Sequence, residues 1–82
     1  LTLSANDNAN IYITTLTTGT AVSGVTYTVV NDSSYISNVQ MISGNTINVV
    51  AGATAGNTGS FVISAWKDSQ LIVTRTVYVK IV

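Results

Sequence analysis

The sequence contains no cysteine, no histidine and no proline, and its acidic residues are all aspartate. Without cysteine there are no disulfides and no thiolate metal ligands. Without histidine the commonest general base and the commonest metal ligand are missing together. Without proline one of the usual guards of exposed strand edges is missing. Charge is scarce as well. Asp7, Asp32 and Asp68 balance Lys67, Arg75 and Lys80 to a net charge of zero. No basic stripe is present to neutralise phosphates, so nucleic acid is not an expected partner. Charged residues make up 7% of the chain, against about 25% in ordinary soluble domains. A surface built from Thr, Ser and Asn points to an extracellular, cell-surface or virion setting.

Long apolar runs are also lacking. Mean hydropathy is +0.44, yet Thr, Ser and Asn interrupt every apolar stretch well short of the ~18–20 residues that span a bilayer. No membrane insertion is expected. The chain opens at Leu1 without a charged leader, which reads as an excised domain or a processed product. Its 82 residues suit one domain, residues 1–82. Size scaling gives about 4,700 Å² of folded surface, room for a thin core and no deep pocket.

β-branched residues are plentiful, and they suit pleated, half-buried surfaces better than helices. No window carries helical apolar spacing, whereas alternation recurs. "IYI" (11–13) opens one strand. "VTYTV" (25–29) places Val25, Tyr27 and Val29 on one face. "INVVA" (47–51) turns Ile47, Val49 and Ala51 inward, and "FVISA" (61–65) does so with Phe61, Ile63 and Ala65. "VYVKI" (77–81) offers Val77, Val79 and Ile81, with Tyr78 and Lys80 facing out. A short strand near Leu1–Leu3 and an irregular one in "YISNVQMI" (35–42) bring the total to about seven. Turn signals separate them at "SANDNAN" (4–10), "TGTAVSG" (18–24), "NDSS" (31–34), "SGN" (43–45), "AGATAGNTGS" (51–60) and "KDSQ" (67–70). This spacing predicts an all-β antiparallel sandwich. Arg75 and Leu16 break the alternation, and a bulge or an overhanging strand end would explain Arg75.

The glycine-rich stretch 51–60 tests whether the chain has a phosphate-binding loop. Such a loop needs Lys and a hydroxyl after its last glycine, and a helix to follow. Here Asn57 and Thr58 follow Gly56, and a strand comes next. The stretch is expected to be a connection, with glycines supplying positive φ and alanines packing beneath it. Asp7 and Asp32 could offer oxygen to calcium only if their loops share one end, and each loop supplies one carboxylate. Asn31-Asp32-Ser33 fits the N-glycosylation pattern, although a turn after "VTYTVV" explains it better. Ser and Thr lack a base, so no catalytic residue, cofactor or metal is expected.

Aromatics remain. Tyr27 and Phe61 belong to the core by parity. Trp66 faces outward, and a hairpin pairing Phe61 with Val77 would set Trp66 opposite Ile72. That pair is either a contact patch or a cross-strand shield for the hairpin end.

Three segments carry a family resemblance. "GVTYTVVNDSSYISNV" (24–39), "GNTINVVAGATAGNTGSFVISA" (44–65) and "RTVYVKIV" (75–82) resemble successive strands of bacterial immunoglobulin-like domains of group 2. Gly59 matches that family's structural glycine. Tyr27 stands where the family usually has Trp, and the stretch before Gly59 is longer than usual. The resemblance implies an immunoglobulin-like sandwich without catalytic residues. It implies a spacer or adhesive module of a bacterial surface or phage virion protein. Its partners would be neighbouring domains, copies of itself, or cell-surface carbohydrate or protein. A pilus-like subunit completed by strand exchange and a small carbohydrate-binding module are the alternatives.

Overall fold

The structure is a computed structural model that describes residues 1–13 and 24–82. Leu16 and most of the 18–24 turn signal lie outside the described residues. Seven strands follow in chain order: β1 (Thr2–Leu3), β2 (Asn8–Tyr12), β3 (Thr26–Asn31), β4 (Ile36–Met41), β5 (Thr46–Ala51), β6 (Thr58–Lys67) and β7 (Gln70–Ile81). They form two sheets, ordered β1-β7-β6-β3 and β2-β5-β4. Every neighbouring pair is antiparallel except β1 and β7, which run parallel. This is an all-β sandwich of two sheets, with its short first strand at the edge beside β7.

The core is where alternation placed it. Ile47, Val49 and Ala51 of β5 face Phe61 and Ile63 of β6, with Val77, Val79 and Ile81 of β7 beside them, all buried. Tyr27 and Val29 pack against this cluster half-buried. The folded surface is 4799 Å², close to the value expected from mass. The body is elongated, 39 × 19 × 18 Å, with a radius of gyration of 12.7 Å, against about 11.7 Å for a compact chain of this length.

Three expectations are corrected. The 4–10 turn is shorter, because Asn8–Asn10 already pair with Asn48–Val50 of β5. The strand begun there ends at Tyr12, before the buried Ile13. The glycine-rich connection is also shorter, since Ala51 still belongs to β5 and Thr58 already to β6. Of its alanines only Ala51 is buried, while Ala53 and Ala55 are exposed.

Arg75 escapes the core sideways, not past the end of the sandwich: Ile63, opposite it, and Ala65, opposite Val73, are still buried. Arg75 stays in register opposite Ile63 and keeps its inward parity. It is exposed nonetheless, as is every residue from Gln70 to Thr76, because the covered part of β7 begins only at Val77.

Candidate functional site

The two glycine-rich and acidic regions resolve into structure. Gly56 takes φ +94°, a left-handed conformation that favours glycine. Gly52 is glycine for a different reason: a Cβ there would collide with the Tyr35 carbonyl oxygen. Two of the loop's amides are bonded within the fold. Gly52 N–H donates to Tyr35 O at 2.9 Å and Gly56 N–H to Ile81 O at 2.7 Å. These bonds tie the stretch to Tyr35 and to β7 as a connection running into β6.

The loops of Asp7 and Asp32 do share one end of the sandwich, linked through Ala51, Gly52 and Tyr35. Each carboxylate nevertheless has its own separate partner, Asp7 within its turn and Asp32 across to β6. Asp7 Oδ1 accepts from Asn8 N–H at 2.9 Å, and Asp32 Oδ1 accepts from the Ser60 hydroxyl at 2.6 Å. Asn31 staples the β3–β4 turn, its Nδ2 donating to Ile36 O and its Oδ1 accepting from Ser33 N–H. Its side-chain nitrogen, where a glycan would attach, already holds the turn together. Among the described residues no three metal-ligating side chains converge.

Trp66 lies on the outer face of the larger sheet, half-buried. Its partner across the hairpin is Leu71, not Ile72. The register shifts between Ala65 and Trp66, so Ile72 is the extra residue of a bulge. Ile72 is exposed, but the direct Trp66–Ile72 pair is not made. The indole instead leans across to β3, where Nε1–H donates to Thr28 Oγ1 at 2.9 Å. Thr28 is the diagonal neighbour, two residues along from Trp66's own partner Thr26. Gly24, Thr26, Thr28, Trp66, Asp68 and Ser69 line a depression at this end. It offers one aromatic face, one carboxylate and a few hydroxyls, which suits hydrogen bonding and stacking.

The turn beside it is a two-residue hairpin loop, Asp68-Ser69, closed by Lys67 and Gln70. Both residues have positive φ, 52° and 64°, as a type I′ turn requires. Asp tolerates that conformation, whereas Ser stands at the position where glycine is favoured.

The open edge of β7 is the second surface. β1 pairs only with Lys80 and Ile81. Lys80 N–H donates to Leu1 O and Val82 N–H to Leu3 O, while Ile81 N–H points the other way, to Asn57 O. Backbone groups alternate along a strand, so Thr74, Thr76 and Tyr78 direct their N–H and C=O away from β6. No described residue pairs with them. The apolar run Leu71-Ile72-Val73 adjoins this edge at 51%, 55% and 56% exposure.

No family model, no curated protein and no solved structure matches the chain.

Proposed function

We infer that the chain is a non-catalytic structural and adhesive module, a spacer that transmits load and makes weak contacts through its outer surface. The observation that carries this reading is the parallel pairing of the first and last strands. Main-chain bonds join them, among them Lys80 N–H to Leu1 O at 2.8 Å, Val82 N–H to Leu3 O at 2.9 Å and Ala5 N–H to Val82 O at 3.0 Å. Tension between Leu1 and Val82 pulls parallel strands in opposite directions. It therefore loads these bonds together, in shear, rather than one after another. Unfolding under such load is governed by the unfolding rate, which bonds sharing the force slow. An extracellular surface protein or a virion is the setting that sparse charge and a Thr/Ser/Asn surface favour. Neighbouring domains, or cell-surface carbohydrate or protein, are the partners such a module would contact, with the Trp66 depression as the contact point.

Single-molecule extension of the chain held at its two ends tests the reading. Lys80→Pro removes one loaded donor, the N–H that bonds Leu1 O across the β1–β7 pair. Its unfolding force should fall clearly below that of the parent chain. An unchanged force would count against the spacer reading.

A second reading, a filament subunit whose edge is filled by a segment of another copy, draws support from the unpaired groups of β7. Growth of mass without limit on concentration would favour it. A carbohydrate-binding module draws less support, because the depression has one aromatic residue; a shift of Trp66 fluorescence with added sugar is its test.

A further inference from the structure

We propose that the outer face of the smaller sheet is a second contact surface, one that holds an uncharged polysaccharide against a row of carboxamides. The inference rests on the adhesive half of the reading above and is independent of its load-bearing half.

The core decides which residues the face receives. Ile47, Val49 and Ala51 of β5 point inward, as do Ala9 and Ile11 of β2 and Val39 and Met41 of β4. Their neighbours along each strand therefore point out. A bulge at Ser37 resets the parity of β4, so Asn38 and Gln40 join the outer face although Ile36 and Val39 are both buried. Register then aligns the amides. Asn10, Asn48 and Gln40 lie directly opposite one another across the three strands, with the strands about 4.8 Å apart. Asn8 and Asn38 flank Val50 in the next row.

Asparagine suits strands poorly, yet four of the five asparagines in the described strands stand on this one face. The fifth, Asn31, ends β3 and staples a turn. The outer face of the larger sheet carries Thr28, Val62, Thr74 and Thr76 at its centre, residues that suit a strand well. A local cost confined to one face is the mark of a functional surface, because conflicts with local preference concentrate at functional sites. The amides are also held ready. Asn48 Nδ2 donates to Asn10 Oδ1 at 2.9 Å and to Asn8 Oδ1 at 3.5 Å. Both oxygens are thereby turned to the middle strand. Among the described residues, the Nδ2 groups of Asn8 and Asn10 and the whole amides of Asn38 and Gln40 have no partner. Side chains ordered before binding lower the entropy that a ligand must overcome.

Charge complementarity names the occupant. Tyr12 is the only titratable side chain facing out from these three strands, so the face offers no ionic grip to phosphates or to charged peptides. Protein interfaces have apolar centres and polar rims. Here the order is reversed: Asn48 is central, and the exposed Tyr12 and Ile42 lie at one end. A neutral amide offers a donor and an acceptor side by side, which suits hydroxyl groups, themselves both donor and acceptor. An uncharged glycan chain supplies such hydroxyls in series, and the Tyr12 ring gives one sugar a surface to stack on.

The full 82-residue chain titrated with hexamers of β-1,4-glucose, β-1,4-N-acetylglucosamine, β-1,3-glucose and α-mannose, followed by NMR, tests this. The side-chain amide signals of Asn8, Asn10, Asn38, Gln40 and Asn48 should shift together with at least one of the four, with Kd about millimolar. The affinity should be insensitive to salt, because no ion pair contributes. Polygalacturonate, a charged polysaccharide, should bind no better. The double variant Asn10→Thr, Gln40→Thr should bind about tenfold more weakly, from the loss of two hydrogen-bonding amides. It should melt no lower than the parent, because threonine suits a strand better than asparagine. Shifts confined to Trp66 and its surroundings would overturn this surface and leave the adhesive reading standing. No shift with any of the four would overturn the proposal and count against the adhesive reading as well. Undiminished binding by the double variant, or a clearly lower melting point, would also overturn it, since the amides would then serve the sheet and not a ligand.

Discussion

Ser69 sits in the left-handed region at φ 64° with a side chain that region disfavours. The penalty is about 1–2 kcal/mol for a residue with a Cβ, partly offset by the entropy glycine would lose on folding. Ser69→Gly should therefore stabilise the chain by roughly 1 kcal/mol, a rise in midpoint of about 4–8 °C by thermal melting. Two glycines should respond in the opposite sense and unequally. A Cβ on Gly59 would come within 2.6 Å of Ile36 Cγ1, a side chain that can give. Gly59→Ala should cost about 1–3 kcal/mol, as overpacking does, and Ile36→Val should recover part of it. At Gly52 the obstacle is the Tyr35 carbonyl, held in a backbone bond. Gly52→Ala should cost more than Gly59→Ala, with no neighbouring truncation to relieve it. Chemical denaturation of the single and paired variants measures both. The sequence marked Gly59 as structural through its family resemblance, but the reasons for Gly52 and Gly59 lie across the fold. A close approach by residue 35 or 36 leaves no trace in the residues flanking a glycine.

At the scale of elements, alternation was a sound guide wherever a strand is covered on one face. It placed Phe61, Ile63, Val77 and Val79 correctly, and it paired Phe61 with Val77 as the hairpin does. It failed at Ile72 because a bulge inserts a residue without changing residue type, so parity counted through it is wrong by one. It left Arg75 ambiguous because coverage of a strand depends on how far the opposite sheet reaches, which is not a local property. This partial coverage gives a sharp contrast along a single strand. Arg75→Thr should change stability by no more than about 0.5 kcal/mol, as exposed substitutions do. Val79→Ala, four residues on and fully buried, should cost roughly 2 kcal/mol from lost burial and the cavity left behind. Equal losses at both positions would mean that the distal half of β7 is covered.

For the whole molecule, composition carried more than motif. Scarcity of charge, the absence of histidine and cysteine, and the size-limited core together turned attention from pockets to surfaces, and the candidate surfaces are an edge, a shallow depression and a pair of terminal strands. The sandwich was legible because about seven short alternating runs admit few packings. The pairing of β1 with β7 was not, because two residues of strand carry no period, and their partner lies at the far end of the chain. That pairing bears the functional reading, since it decides how the molecule meets a pull. The most direct test compares two directions of force on the same protein. Held at Leu1 and Val82, the chain loads its β1–β7 bonds in shear. Held at Gly24 and Ser69, it unzips β3 from β6 one pair at a time. The account predicts a markedly higher unfolding force from the ends than from the second attachment. Equal forces, or a weaker response from the ends, would contradict it.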